Sequence, residues 1–417
     1  MAQDHEYALQ PVPLESRKSF LKMLMVMMGF TFFSASMISG GTLGSGLTFT
    51  QFILIVLAGN LILGVYTSAL AYIAAKTGLS THLLTQYAFG RKGSYLASFL
   101  LSATQIGWFG VGVAMFAFPV HQVTGINTYV LIFVAGILMT ATAYFGMKAL
   151  TILSFIAVPS IIVLGSMSVG IATDSLGGIQ GLIDQQPAET LGLAAALTIC
   201  IGSFISGGTL TPDFARFAKT KKSAVTSTLI AFFIGNSLMF TFGAVGVIAT
   251  GVSDISEVMF IQGLIIPAIL VLGLNIWTTN DNSLYASGLG FSHITKIDKS
   301  KVVIFNGLIG TILAIWLYNN FVSWLTFLGS TLPPIGAILL IDYFILRRAK
   351  YSSFAQTNFK TVNWAAIIAW VIGVLSAQFI PGIAPINALI GSAASFLVLS
   401  LLQNKYIETN TTVERVS

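Results

Sequence analysis

All twenty Lys and Arg residues of this 417-residue chain can be assigned to one side of a membrane. That asymmetry limits the fold more than any motif does. The chain divides into about twelve apolar stretches, near 20–46, 51–75, 94–121, 128–146, 150–171, 191–215, 223–250, 260–290, 301–317, 319–345, 363–381 and 385–403. Bases fall in the N-tail (Arg17, Lys18, Lys22), in alternate connections and in the C-tail (Lys405, Arg415). The basic connections hold Lys76, Arg91 and Lys92; Lys148; Arg216, Lys219, Lys221 and Lys222; Lys296, Lys299 and Lys301; then Arg347, Arg348, Lys350 and Lys360. The intervening connections hold none, and two are acidic, through Asp174, Asp184 and Glu189 and through Asp254 and Glu257. The pattern predicts an all-α integral membrane protein with an even number of spans and both termini in the cytoplasm.

Composition agrees. Charged residues make up 8% of the chain and hydrophobic ones 55%, against about 25% charged in soluble domains. At roughly 20 residues per span, no length remains for a soluble domain. The formal charge of +6 therefore reads as topology and affinity for anionic lipid, with no nucleic-acid partner. The polar N-terminus lacks a signal-peptide core, so the first span reads as an uncleaved anchor. The single Cys200 excludes an intramolecular disulfide and a Cys-rich metal site.

The hexapeptide ISGGTL occurs at 38–43 and again at 205–210, in the first and sixth spans. Spans five apart cross in opposite directions, as an inverted repeat of five plus five requires. Gly-rich and Pro-containing stretches at 38–47, 202–212, Pro267 and Pro333–Pro334 are expected to interrupt their spans. Unwound backbone inside a membrane must line a cavity or meet a ligand. The glycines equally allow close helix packing.

The eighth span carries a polar run mid-membrane, with Asn275, Thr278, Thr279 and Asn282 on one helical face. The hydroxyl pair can ligate a hard cation, or bond back to its own helix. In the third span Gln105 and Trp108 share a face. An amide beside an indole suits a flat, polar heteroaromatic ring, and Phe204 could close its other side. No His, Lys or Arg lies mid-span, and Asp281 is the one carboxylate placed deep, with Asp213 and Asp342 near cytoplasmic ends. A proton relay or a charged solute usually needs more. The inference is a neutral solute and a cation held by neutral oxygens, with H⁺ through Asp281 as the alternative. No channel filter, HExxH or Ser/His constellation points to a channel or an enzyme, and no obligatory protein partner is evident.

The segments GFTFFSASMISGGTLGSGL, LLSATQIGWFGVGVAMFAFPV, GSFISGGTLTPDFARF, LGLNIWTTNDNSLYASGLGF and WLYNNFVSWLTFL closely resemble the nucleobase:cation symporter-1 family, in particular its bacterial cytosine carriers. The likeness runs from about Pro11 to about Leu402, and only the tails look unconstrained. The resemblance implies the LeuT-type fold, about twelve helices with broken helices 1 and 6. The domains are then a cytoplasmic N-tail (1–18), repeat one (19–172), repeat two (190–346), accessory spans (363–403) and a cytoplasmic C-tail (404–417), whose polar sequence from about Tyr406 is expected to be disordered. The resemblance also implies Na⁺-coupled uptake of cytosine across the bacterial inner membrane; related carriers of uracil, purines, allantoin or hydantoins leave the cargo open. Na⁺ would be held by the carbonyls of Gly29, Phe32 and Asn275 and the hydroxyls of Thr278 and Thr279. The solute would lie between Trp108 and Phe204, with Gln105, Ser203, Ser206, Gly207 and the Asn275 side chain at its polar edge.

Overall fold

The computed structural model describes residues 6–187, 190–320 and 327–416. Glu189, residues 321–326 of the tenth expected span and the start of the N-tail lie outside the described residues. The described chain is helical, and one isolated bridge, Lys18 with Ala218, is its only extended pairing. The elements are α1 (Phe20–Thr31), α2 (Ser34–Gly46), α3 (Phe49–Thr77), α4 (Thr81–Phe89), α5 (Gly93–Thr124), α6 (Thr128–Tyr144), α7 (Met147–Ser175) and α8 (Leu193–Gly208). There follow α9 (Thr211–Ala215), α10 (Lys221–Ile230), α11 (Ser237–Thr250), α12 (Ile265–Thr295), α13 (Lys299–Ile312), α14 (Pro333–Leu340), α15 (Trp364–Phe379) and α16 (Ala384–Val416). Their limits follow local chemistry. A capping box between Thr48 and Gln51 opens α3, and Gly78, with φ 74°, closes it.

Two groups of helices pack side by side. One joins α5, α6, α12 and α13; the other joins α1, α2, α3, α8, α10 and α11. The helix α7 touches both, and α15 and α16 pair against α14. A buried polar chain holds the second group together. The Ser36 hydroxyl donates to Asn236 Oδ1 (2.7 Å), Asn236 Nδ2 to Asn60 Oδ1 (2.7 Å), and Asn60 Nδ2 to Ser237 Oγ (3.0 Å). Every link has a partner, so the chain fixes one packing at little desolvation cost.

The basic connections meet at one end of the bundle. Lys76 Nζ reaches the Ala349 carbonyl (2.8 Å), Arg91 N–H the Lys360 carbonyl (2.8 Å), and Lys299 Nζ the Ala143 carbonyl (3.1 Å). The N-tail, expected to be unconstrained, is tied down there. Arg216 is fully buried and donates to the Glu6 and Tyr7 carbonyls (2.9 and 2.7 Å), while Lys18 pairs with Phe217 and Lys219. A buried guanidinium needs many acceptors, and tail carbonyls supply two of them. The C-tail also departs from expectation: α16 continues through Val416, and no Gly or Pro after Gly391 stops it.

The expected interruptions fare differently. Span one does bend, by 57°, but at Phe32–Phe33 rather than at 38–47. The first ISGGTL is helical and serves packing: a side chain at Gly40 would strike the backbone of Phe240, and one at Gly44, just after the hexapeptide, would strike Ala244. The second copy does end at a break, between α8 and α9. The two copies are therefore not structural counterparts. Pro267 stands in the first turn of α12, and Pro333–Pro334 open α14. At such positions proline costs a helix nothing.

Candidate solute and cation site

Neither glycine nor proline breaks span one. Phe32 (φ −81°, ψ 93°) and Phe33 (φ −141°, ψ 136°) are extended, and they leave the last carbonyls of α1 and the first N–H groups of α2 without helix partners. Residues of α12, more than 240 positions later, supply those partners. The Ser34 N–H and hydroxyl both donate to Asn275 Oδ1, at 2.9 and 3.1 Å. The Thr279 hydroxyl donates to the Phe32 carbonyl at 3.0 Å.

This arrangement gathers the expected cation ligands. The Thr279 hydroxyl also reaches the Asn275 carbonyl (3.1 Å), and the Thr278 hydroxyl reaches the Asn275 and Leu274 carbonyls (both 2.9 Å). Four neutral oxygens, from Phe32, Asn275, Thr278 and Thr279, thus meet where α1 ends against α12. Back-bonding is an ordinary fate of a membrane threonine; the bond from Thr279 across to Phe32 is not. Oxygen donors of this kind suit a hard cation. Gly29 sits one turn earlier in α1, packed on Ser154 of α7, in the turn whose carbonyls lack helix donors.

Next to these oxygens lies a narrow slot. Gln105 and Trp108 of α5 and Ser203, Phe204, Ser206 and Gly207 of α8 line it, so six of the seven expected solute residues converge. The seventh departs: the Asn275 amide is turned to Ser34 and does not line the slot. Capping α2 occupies the side chain that was expected at the ring's polar edge.

Sequence reasoning missed three residues, Phe30, Phe33 and Ser283, which line the slot together with Thr279, expected only as a cation ligand. Phe33 stands edge-on to Trp108 (centroids 5.3 Å, 76°), and Phe30 edge-on to Phe204 (5.1 Å, 90°). Span one thus adds a second ring to each expected stacking partner. Nothing in the spacing of GFTFF singles these rings out. Ser283, one turn after Thr279, was legible by helical period.

None of the lining residues is ionisable. Gln105 is buried, and its Nε2 has no hydrogen-bond partner among the described residues. An orphaned amide donor costs about 1–3 kcal/mol, so the slot is built for something that accepts from it. Asp281 faces elsewhere. Its Oδ1 accepts from the Thr142 hydroxyl (2.7 Å), which in turn accepts from Trp277 Nε1 (2.8 Å), within the packing of α12 on α6.

An uncharged slot between interrupted helices, inside a bundle of membrane-length helices, defines a membrane carrier. The chain belongs to the family of permeases for cytosine/purines, uracil, thiamine and allantoin, whose profile matches residues 11–400. It is 55% identical to the cytosine permease of Escherichia coli strain K12, over 97% of this chain and 96% of that one. It is 23% identical to the hydantoin permease of Microbacterium maritypicum, over 86% and 81% of the two chains. Its fold matches MHP1, a nucleobase-cation-symport-1 family transporter, in a closed conformation with bromovinylhydantoin bound: TM-score 0.84, 18% identity, 95% of each chain covered. A Na⁺-coupled sialic acid symporter matches with TM-score 0.73 at 12% identity, over 96% of this chain and 92% of the other. The LeuT-type architecture expected from the sequence is the one found, and the protein is a transporter, not an enzyme.

Proposed function

We propose that this permease takes up cytosine together with Na⁺ across the bacterial inner membrane, with its basic end and both termini in the cytoplasm. The observation that carries the reading is the unpaired Gln105 amide in an uncharged aromatic slot beside four converging oxygens. Cytosine is neutral at pH 7 and offers carbonyl and ring acceptors beside an amine donor. Trp108 and Phe204 line the slot, and stacking on such rings is worth about 1–3 kcal/mol per base. The 55% identity to a cytosine permease supports this cargo over other neutral bases.

Na⁺ fits the oxygens of Phe32, Asn275, Thr278 and Thr279, with the Gly29 carbonyl as a fifth. An ion there stitches the end of α1 to α12 and orders the Phe30 and Phe33 rings that line the slot. Ion and solute then favour the same closed state, which is the origin of coupling. Inward movement of one charge adds about 2.3 kcal/mol per 100 mV.

The test is cytosine binding to purified protein with and without Na⁺. Binding is expected to need Na⁺, to weaken about tenfold or more in Trp108→Ala, and to lose Na⁺ stimulation in Thr278→Ala. Stronger competition by uracil, hypoxanthine, allantoin or a hydantoin than by cytosine would reassign the cargo. Uptake indifferent to Na⁺ and abolished by Asp281→Asn would replace Na⁺ with H⁺.

A further inference from the structure

Transport needs an exit as well as a slot. On α5 the residues Ser98, Ser102 and Gln105 stand at i, i+4 and i+7, a buried polar stripe running from the slot toward the basic end. Across from it on α12, Gly290 leaves room: a side chain there would strike Ser102 Oγ and the His82 ring. Ser102 Oγ has no partner among the described residues. A buried hydroxyl without a partner is uncommon in a finished core and ordinary along a route that is wet in another state.

The stripe ends at a buried histidine–aspartate pair. His82, in the first turn of α4, is fully buried, and so is Asp213 of α9. Their His82 Nε2 and Asp213 Oδ2 atoms face each other across 3.5 Å. The other ring nitrogen of His82 lies 3.2 Å from Ser98 Oγ, and Ser98 Oγ lies 2.9 Å from His293 Nδ1 of α12. The other Asp213 oxygen accepts from the Thr81 N–H at 2.8 Å.

These contacts join the two helix groups. The helix α4 packs on α5, whereas α9 continues the interrupted sixth span directly below Ser206 and Gly207. Moving α9 away from α4 would open the stripe, and it would break both Asp213 contacts. A buried carboxylate and imidazole outside the slot carry a desolvation cost that their contacts must offset.

We propose that the His82–Asp213 pair is the latch of the inner gate, closing a polar exit route along Gln105, Ser102 and Ser98. It rests on the reading of the slot as the solute site, and adds two positioning residues that touch neither solute nor ion. Loss of one buried polar contact is worth roughly a tenfold shift between two states.

The test reads accessibility and needs no substrate, so it stands apart from the identity of the cargo. In full-length Cys200→Ser protein, a cysteine at Ser102 reports the inner route, and one at Ile38, which lines a depression at the acidic end, reports the outer one. Adding Asp213→Asn or His82→Gln is expected to speed maleimide labelling of Ser102→Cys about tenfold and to slow labelling of Ile38→Cys. Unchanged labelling, or a rise at both positions together, overturns the latch. Should either variant fold poorly, the pair His82→Cys with Asp213→Cys, bridged by Cd²⁺, is expected to stop uptake until EDTA is added. Uptake that continues through the bridge overturns it equally.

Discussion

The two interrupted spans solve one problem in opposite ways. Span six breaks just past its glycine pair, at Thr209–Leu210, and rebonds to itself: Thr209 N–H reaches the Ile205 carbonyl (3.0 Å) and Leu210 N–H the Gly207 carbonyl (2.9 Å). Span one unwinds where its sequence is strong, at two phenylalanines, and its free groups are bonded by Asn275 and Thr279 of another helix. A self-capped break needs only local residues. A break capped from outside ties the conformation of span one to α12, and an ion placed between them can control it.

Substitutions can break this contrast, beginning with the two ISGGTL copies. Gly40→Leu drives a side chain into the Phe240 backbone. It is expected to cost about 3 kcal/mol, the upper end for overpacking, read as loss of folded, monodisperse protein. Next comes the outside cap. Asn275→Ala leaves the Ser34 N–H without its acceptor, at about 1–3 kcal/mol; thermal unfolding should fall and the Na⁺ response vanish. Asn275→Asp, which keeps an acceptor oxygen, should restore part of both.

Smaller effects sharpen the contrast. Thr279→Ala removes one cation oxygen and the bond to Phe32, and about tenfold more Na⁺ is expected at half-maximal binding. Thr279→Ser should stay near the parent. At Gly207 an added methyl meets the Phe204 and Phe30 rings at 3.1–3.4 Å. These rings can yield, so Gly207→Ala should fold normally and bind cytosine about threefold more weakly by isothermal titration. Smallest is Asp281→Asn, which preserves an acceptor for Thr142; Na⁺-driven uptake is expected to stay within about twofold of the parent.

Much of the site was legible because side-chain chemistry and helical period are local. Gln105 and Trp108 fall on one face, as do Thr279 and Ser283. Glycine misled in span one. Gly40 has the same neighbours in sequence as Gly207 of span six, yet it meets the α11 backbone instead of lining the slot. Asn275 misled similarly. Its place beside Thr278 was correct, but whether an amide faces a slot or caps a helix depends on what stands opposite.

By itself the sequence determined that the chain is a bundle of apolar helices, the clustering of basic connections at one end, and the scarcity of charge in the apolar stretches. These follow from hydrophobicity and charge, which act residue by residue against the bilayer. Only the tertiary structure decided where span one breaks, which rings close the slot, and that His82 meets Asp213. Each of these depends on a hydrogen-bond or ring partner far along the chain, and local propensity carries no record of such a partner.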